Sequence, residues 1–280
     1  MPSTKSDERT KQYSIHRALG ASTVRVTDLV AVEEPMEIRI LHWFKSVPKA
    51  ESLAVTMRTP GNDQELVAGY LLTESIISET QDLLGIQALG ESAAPNEYLA
   101  ELARHVDVEQ WRIGRATFVN SSCGLCGKRG LEALPELPLL DAGQFEISGQ
   151  LIRQLPGLLA ERQTGFLETG GLHGAARFDA TGELRGLYED VGRHNALDKL
   201  IGDAFLKGQL PWMDQVVFMS SRGSFELVLK CITAGVRVLA TVGAPSSLAI
   251  DAARARQMTL IGFVRDDRFN VYSGEWRVRG

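Results

Sequence analysis

Cysteine is scarce in this chain. Three residues among 280 form no disulfide framework, and a reducing compartment would keep them as thiols unless they bind metal or take part in catalysis. A long apolar run is also missing. The opening Met-Pro-Ser-Thr-Lys-Ser-Asp-Glu-Arg-Thr-Lys-Gln lacks the hydrophobic stretch of a signal peptide, and the most apolar later region is interrupted by Lys230 and Arg237. A cytoplasmic protein with no membrane association is therefore expected. Nor is there an excess of positive charge. With 30 Lys and Arg against 35 Asp and Glu, the formal charge is -5, which argues against nonspecific binding to nucleic acid. Any anion site must be local.

What is present is an ordinary globular composition, 44% hydrophobic and 23% charged, long enough for one large domain or two smaller ones. Residues 1–20 are polar and aperiodic and read as a disordered tail. From Thr23 to Met57 the alternation of Val24, Val26, Val30, Val32, Ile38, Ile40, Leu53 and Val55 predicts strands. Asn62 or Asp63 then caps a packing helix bearing Leu66, Val67, Tyr70 and Leu71. Residues 83–104 are poorly patterned, and Trp111 to Val119 reads as a strand. A linker containing Pro135 and Pro138 follows, with a domain boundary near residue 140, after which Ser148 caps a helix carrying Ile152, Leu155, Pro156 and Leu159. Beyond it, a hairpin over 174–188 and a helix with Ala196, Leu197, Leu200 and Ile201 precede strands at 216–219, 236–242, 260–264 and 269–272, alternating with helices at 225–234 and 247–256. That alternation predicts an α/β layer structure with a largely parallel sheet, whose ligands gather at strand ends.

Two of the cysteines lie in Ser121-Ser-Cys123-Gly-Leu-Cys126-Gly-Lys-Arg-Gly130. Lys128 and Arg129 would favour the thiolate, the reactive form, and the glycines suit a loop that presents sulfur to another molecule. Three chemistries fit such a pair. Zinc would require His173 and His194 as further ligands, but an entire hairpin separates them, unlike the close spacing of a structural site. Dithiol exchange would place the motif at the first βα turn of its own βαβ unit, whereas here more than a hundred residues precede it. The third chemistry is that of a nucleophilic thiol. Cys231, on an apolar helix, reads as an inert small hydrophobe. Four further segments read as strand-end loops: Thr169-Gly-Gly-Leu-His173, Glu189-Asp-Val-Gly-Arg193-His194-Asn195, Ser220-Ser221-Arg222-Gly223 and Arg265-Asp-Asp-Arg268. Each mixes glycine or hydroxyl groups with a cation or imidazole, as a phosphate-bearing ligand would need.

Ser121-Ser-Cys-Gly-Leu-Cys-Gly-Lys128, Thr169-Gly-Gly-Leu-His-Gly174, Glu189-Asp-Val-Gly-Arg-His-Asn-Ala-Leu-Asp-Lys199, Ser220-Ser-Arg-Gly223 and Gly262-Phe-Val-Arg265, in that order, resemble the FdhD family of formate dehydrogenase accessory sulfurtransferases. The match runs from about Glu33 to the C-terminus. The resemblance implies a homodimer and an α+β protein with a cytidine-deaminase-like three-layer α/β/α core. It also implies a sulfur relay, in which a cysteine desulfurase loads a persulfide that passes to the molybdenum bis-guanine-dinucleotide pterin cofactor of formate dehydrogenase. The His-x-Glu and Pro-Cys-x-x-Cys signature of zinc deaminases is missing, so no metal is expected. Cys123 would carry the sulfur and Cys126 assist or resolve it. Phe263, Val264, Arg265, Asp266, Asp267, Arg268, Ser221, Arg222, Gly223, Arg193 and His194 would hold the cofactor. The expected organisation is a tail over 1–20, a smaller β-rich α+β subdomain over 21–119, the cysteine loop and linker over 120–144, and the α/β cofactor-binding domain over 145–280. Two other functions compete: a noncatalytic chaperone of the dinucleotide cofactor and a dithiol oxidoreductase. His42-Trp-Phe-Lys-Ser-Val stands where the family often has a tighter Asn-Gly turn.

Overall fold

The computed structural model of the chain describes residues 9–90, 95–109, 140 and 145–280. The expected strand at 111–119, the Cys123–Cys126 loop and nearly all of the linker lie outside the described residues. Strands β1 (Thr10–Leu19) and β2 (Ser22–Ala31) form an antiparallel ribbon. Residues 10–19 are thus a strand where the sequence suggests a disordered tail. Strand β1 is exposed nearly throughout, so no buried face imposes on it an apolar alternation of the kind that marks β2.

Strands β3 (Glu34–Phe44) and β4 (Val47–Arg58) pair antiparallel. The Lys45-Ser46 connection is a two-residue turn with both φ values positive, 47° and 65°, so it is as tight as an Asn-Gly turn despite its residues. The poorly patterned stretch after it yields β5 (Leu83–Leu89) and β6 (Glu97–Leu102), completing a sheet of order β4-β3-β6-β5. Helix α1 (Asp63–Thr73) starts after Asn62, whose left-handed φ of 57° rather than its side chain makes the turn. Asp63 is occupied by Arg58 Nε at 2.9 Å and the Tyr98 hydroxyl at 3.1 Å.

A short β7 (Ile147–Ser148) leads into α2 (Gly149–Ala160), and Ser148 caps α2 by accepting from Leu151 N. Then follow α3 (Thr164–Thr169), β8 (His173–Asp179), β9 (Leu184–Asp190), α4 (Arg193–Leu206), β10 (Gln215–Met219), α5 (Phe225–Thr233), β11 (Val238–Thr241), α6 (Ser247–Ala255), β12 (Thr259–Gly262), β13 (Asn270–Ser273) and β14 (Val278–Arg279), the last pairing with β7. The central sheet has order β13-β12-β11-β10-β8-β9. Only β10-β11-β12 is parallel; β8, β9 and β13 join antiparallel. The expectation of a largely parallel sheet fails there because β8 and β9 are joined by a tight turn, which permits only antiparallel pairing.

Both faces of the central sheet are covered. Phe178, Val216, Phe218, Val238 and Ile261 pack with Leu151, Ile152 and Leu155 of α2, while Val217, Met219, Leu239 and Leu260 pack with residues of α1, α4, α5 and α6. This period-two division makes three layers. The second cluster also takes Met36, Ile38, Ile40, Tyr98 and Leu102 from the four-stranded sheet. One core therefore spans the position near residue 140 at which the sequence suggests a boundary.

Helices α1 and α4 meet backbone to backbone at two glycines. A Cβ on Gly69 would lie 2.6 Å from the Asp198 carbonyl carbon, and one on Gly202 would lie 2.6 Å from Gly69 N. A buried polar network reinforces the crossing. The Asp190 carboxylate, fully buried, accepts from Thr59 N, Gly192 N and Asn195 Nδ2 and pairs with Lys199 Nζ at 2.8 Å. Lys199 also donates to Thr59 O, and Asn195 to Met57 O. One turn on, Asp198 accepts from Lys230 Nζ at 2.9 Å and from Thr73 Oγ1 at 2.8 Å. Buried charges are tolerable because each is paired and hydrogen-bonded. No helix among the described residues is long and apolar enough to cross a membrane.

Candidate functional site

Parallel pairing of β10, β11 and β12 brings their C-terminal ends to one edge of the sheet. Antiparallel pairing adds the start of β8, the end of β9 and the start of β13 to the same edge, since His173 is registered with Asp190 and Gly262 with Asn270. All four loops singled out above therefore meet there. The structure laces them together through the backbone. Ser220 N donates to Gly174 O, Gly243 N to Ser221 O, Ser246 N to Gly223 O and Phe263 N to Gly243 O, all at 3.0–3.1 Å.

Three helices begin at this edge. Gly192 precedes α4, Ser224 caps α5 by accepting from Leu227 N, and Ser246 caps α6 by accepting from Ala249 N. The capping serines take only part of the free N–H groups of each first turn, and the three partial positive charges add. Arg193, Arg222, Arg265 and Arg268 lie in the same rim of loops, so arginines and helix N-termini share one edge of an acidic protein.

The predicted residues divide by role. Arg222, Asp266, Asp267 and Arg268 are exposed, and Arg268 Nη1 is 3.2 Å from the Asp267 carboxylate. Phe263 is 42% exposed and carries a φ of 52°, a conformation costly for an aromatic residue and one that concentrates at functional sites. Val264 is fully buried in the core, so its side chain faces no ligand. Arg265 Nη1 donates to Val242 O at 2.8 Å and to Val264 O at 2.7 Å, and its own N–H bonds Arg268 O; this guanidinium braces the 263–268 turn from below. Ser221 is buried, and its hydroxyl donates to Arg222 O. Gly223 bridges to Pro245 beneath the rim. Arg193 and His194 open α4, and His194 Nε2 lies 2.9 Å from Glu226 Oε2 and 3.5 Å from Ser224 Oγ. The histidine's hydrogen bond holds Glu226 below the usual carboxylate range.

His173, the last residue of the strand-end loop Thr169-Gly-Gly-Leu-His173, belongs to this edge. Burial, then the charges of Arg193 and His194, push its pKa below 6.5, keeping a neutral imidazole beside the cations. Glu226, Ser224 and Ser246 went unassigned by sequence. Their signal was available in Ser224-Phe-Glu-Leu and Ser246-Ser-Leu-Ala, where a capping serine follows a turn glycine or proline. The 193–199 block proves to be of two kinds: Arg193 and His194 face the edge, whereas Asn195, Asp198 and Lys199 are buried and bind α4 to the β4–α1 connection, α1 and α5. Among the described residues no group of three His, Cys, Asp or Glu side chains is arranged to hold a metal ion. Cys123 and Cys126 lie outside those residues. The only described cysteine, Cys231, is buried, and burial pushes its thiol far above the ordinary range.

Comparisons with known proteins agree with this architecture. The model of the FdhD/NarQ family matches residues 31–279. A Streptomyces coelicolor protein named "Sulfur carrier protein FdhD" is 42% identical over 267 residues, covering 92% of each chain. A protein of the same name from Sulfurisphaera tokodaii is 40% identical over 251 residues, covering 90% of this chain and 92% of the other. A crystal structure from Desulfotalea psychrophila, described as a formate dehydrogenase accessory protein, superposes with a TM-score of 0.72 at 21% identity, covering 96% of this chain and 99% of the other. It shares the mixed α+β fold. The family model spans every loop of the arginine-bearing edge, and the chain belongs to the FdhD/NarQ family.

Proposed function

We propose that this protein is a cytoplasmic sulfur carrier that takes sulfane sulfur from a cysteine desulfurase and passes it to the molybdenum bis-guanine-dinucleotide cofactor required by formate dehydrogenase. The observation that carries this reading is the convergence of Arg193, Arg222, Arg268 and three helix N-termini on one sheet edge, in a chain whose relatives are named sulfur carriers. The cofactor is cargo, a large polyanion. Its phosphates would sit at the helix N-termini and arginines, and the exposed Phe263 ring offers a face for a guanine.

The chemistry is thiol exchange. The Cys123 thiolate attacks the terminal sulfur of the desulfurase persulfide, the S–S bond of the donor breaks, and the donor leaves as a thiolate while Cys123 becomes Cys–S–SH. For delivery, Cys126 as thiolate attacks the inner sulfur of Cys123, forming the Cys123–Cys126 disulfide and releasing hydrosulfide to the bound cofactor. A cellular thiol then reduces the disulfide. A homodimer and a deaminase-like reading of the three-layer core go with this assignment.

Intact-protein mass spectrometry after incubation with desulfurase and cysteine tests it. The wild type gains one sulfur atom, Cys123→Ala gains none, and Cys126→Ala loads but fails to activate formate dehydrogenase in cells. Full loading of Cys123→Ala would refute the carrier assignment. Activation by Cys123→Ala together with failure of Arg222→Ala would instead favour a noncatalytic chaperone of the cofactor. Reduction of a disulfide substrate by the isolated protein would favour an oxidoreductase.

A further inference from the structure

Where α4 and α5 begin, two imidazoles stand near one another. His194 is in the first turn of α4, and its Nε2 is 2.9 Å from Glu226 Oε2, in the first turn of α5. The carboxylate is ionised, since the histidine's hydrogen bond holds it below the usual range, and an ionised carboxylate can only accept. Nε2 therefore carries a hydrogen in both protonation states of the ring, and Nδ1 is the nitrogen that gains and loses a proton. Among the described residues nothing hydrogen-bonds Nδ1, and the side chain is 32% exposed. His173, at the start of β8, is close enough for the charges of Arg193 and His194 to act on its ring. The other charged groups acting at this end are Asp190 at the close of β9 and Lys230 of α5, which acts on Glu226.

An ion pair of this kind commonly does no more than tie two helix starts together. A lysine would serve that purpose equally well. A tie leaves unexplained a ring whose titrating nitrogen is left open where the loops meet, with a carboxylate orienting it as in a catalytic dyad.

The delivery step described above needs a proton. The terminal sulfur of a persulfide is more acidic than a thiol, so near neutral pH Cys123 carries Cys–S–S⁻. Attack by the Cys126 thiolate on the inner sulfur would then expel S²⁻, a prohibitively poor leaving group. One proton on the terminal sulfur corrects this: the Cys123 persulfide anion, the Cys126 thiolate and H⁺ give the Cys123–Cys126 disulfide and HS⁻. The persulfide S–S bond breaks as the disulfide bond forms, its electron pair leaves on hydrosulfide, and oxidation of the two cysteine sulfurs is matched by reduction of the sulfane sulfur.

We propose that His194 is the general acid of sulfur delivery, passing a proton from Nδ1 to the terminal sulfur, with Glu226 as the positioning residue that fixes the tautomer and balances the imidazolium. The inference rests on the sulfur-carrier reading.

The full chain is loaded with desulfurase and cysteine, freed of both, and followed by intact-protein mass spectrometry as the persulfide species becomes the disulfide. The rate is counted per loaded molecule from about pH 5 to pH 8. The titration of Nδ1 is followed in parallel by ¹⁵N NMR of the imidazole, assigned by its loss in His194→Gln. Wild-type release is bell-shaped: it rises as Cys126 ionises and falls as Nδ1 loses its proton, at the midpoint given by NMR. His194→Gln removes the falling limb and slows release about a hundredfold. Glu226→Gln, which still accepts from Nε2 through its amide oxygen, moves the falling limb and the NMR midpoint down together, a coupled shift that a structural tie would not produce. Should either variant fail to fold, coincidence of the two midpoints in the wild type decides. Release by His194→Gln at the wild-type rate and pH profile, or a falling limb at a midpoint other than that of Nδ1, overturns the proposal while loading, and with it the carrier reading, stands. A wild type that never loads refutes the carrier reading, and this step falls with it.

Discussion

Replacing Gly69 or Gly202 by alanine is expected to harm both stability and the arginine-bearing edge. A methyl on Gly69 would stand 2.6 Å from the Asp198 carbonyl carbon and 2.9 Å from its Cα, and a methyl on Gly202 would stand 2.8 Å from the Glu65 carbonyl carbon. These are main-chain atoms of the facing helix, so no side chain can swing aside. Ordinary van der Waals contact requires α1 and α4 to separate by roughly 1 Å. Separation loosens the Lys199 and Asn195 bonds to the β4–α1 connection and the interdigitated core around Leu66 and Leu200. Overpacking of this kind costs about 3 kcal/mol, only partly offset by alanine's better helix propensity of about 1 kcal/mol. Gly157 in α2 provides the control. A Cβ there meets nothing within 4 Å, so Gly157→Ala should stabilise by about 0.5–1 kcal/mol. Urea unfolding followed by circular dichroism separates the cases: the midpoint of Gly69→Ala should fall by about 1 M and that of Gly157→Ala should rise slightly. Because α4 carries Arg193 and His194 at its first turn, Gly69→Ala should also lower formate dehydrogenase activation in cells by more than its fall in soluble protein. A Gly69→Ala protein as stable as wild type would refute the close crossing, and with it the account of how α4 is held.

Three further outcomes follow from particular residues. Asp198→Asn removes the carboxylate that faces Lys230 in a fully buried setting; it should cost about 3–5 kcal/mol, seen as a lowered unfolding midpoint, and a loss below about 1 kcal/mol would show that Glu74, 3.3 Å from Lys230, suffices alone. The pKa of His173 in the folded protein lies below its ordinary 6.5 through burial and then the charge of Arg193, so its contribution is fully present above that pH and declines as the pH falls through the folded value; wild-type stability should drop as the pH falls below 6.5, and His173→Gln should flatten that slope. Cys231 is buried and its thiol is held protonated; it should resist alkylation in the native protein at pH near 8 and react once unfolded, and Cys231→Ala should take up sulfur as fully as wild type. Labelling of native Cys231 at the rate of a free thiol would contradict its burial.

The strands and helices of the second half were legible because each is short, apolar and bounded by turn residues, and the capping serine at 148 behaves as its position suggests. The loops of the site were legible too, as glycine mixed with arginine or histidine. Reading failed where burial did not write a pattern. Strand β1 is exposed nearly throughout and so shows no apolar alternation, and the Lys45-Ser46 turn adopts left-handed backbone without the glycine or asparagine that would announce it. Glu226 was missed because its significance comes from a neighbour far away in sequence, His194.

The paired cysteines, the family and the chemical character of the loops were determined by the sequence alone, since residue identity and order suffice for them. The meeting of those loops at one edge, the apolar cluster shared by both halves, and the structural role of Asn195, Asp198 and Lys199 were decided only by tertiary structure. The physical reason is that strand order and helix crossing bring together groups more than a hundred residues apart, as Lys199 and Thr59 are, and only in that arrangement do desolvation and proximity decide which charges pair and which stand ready for a ligand.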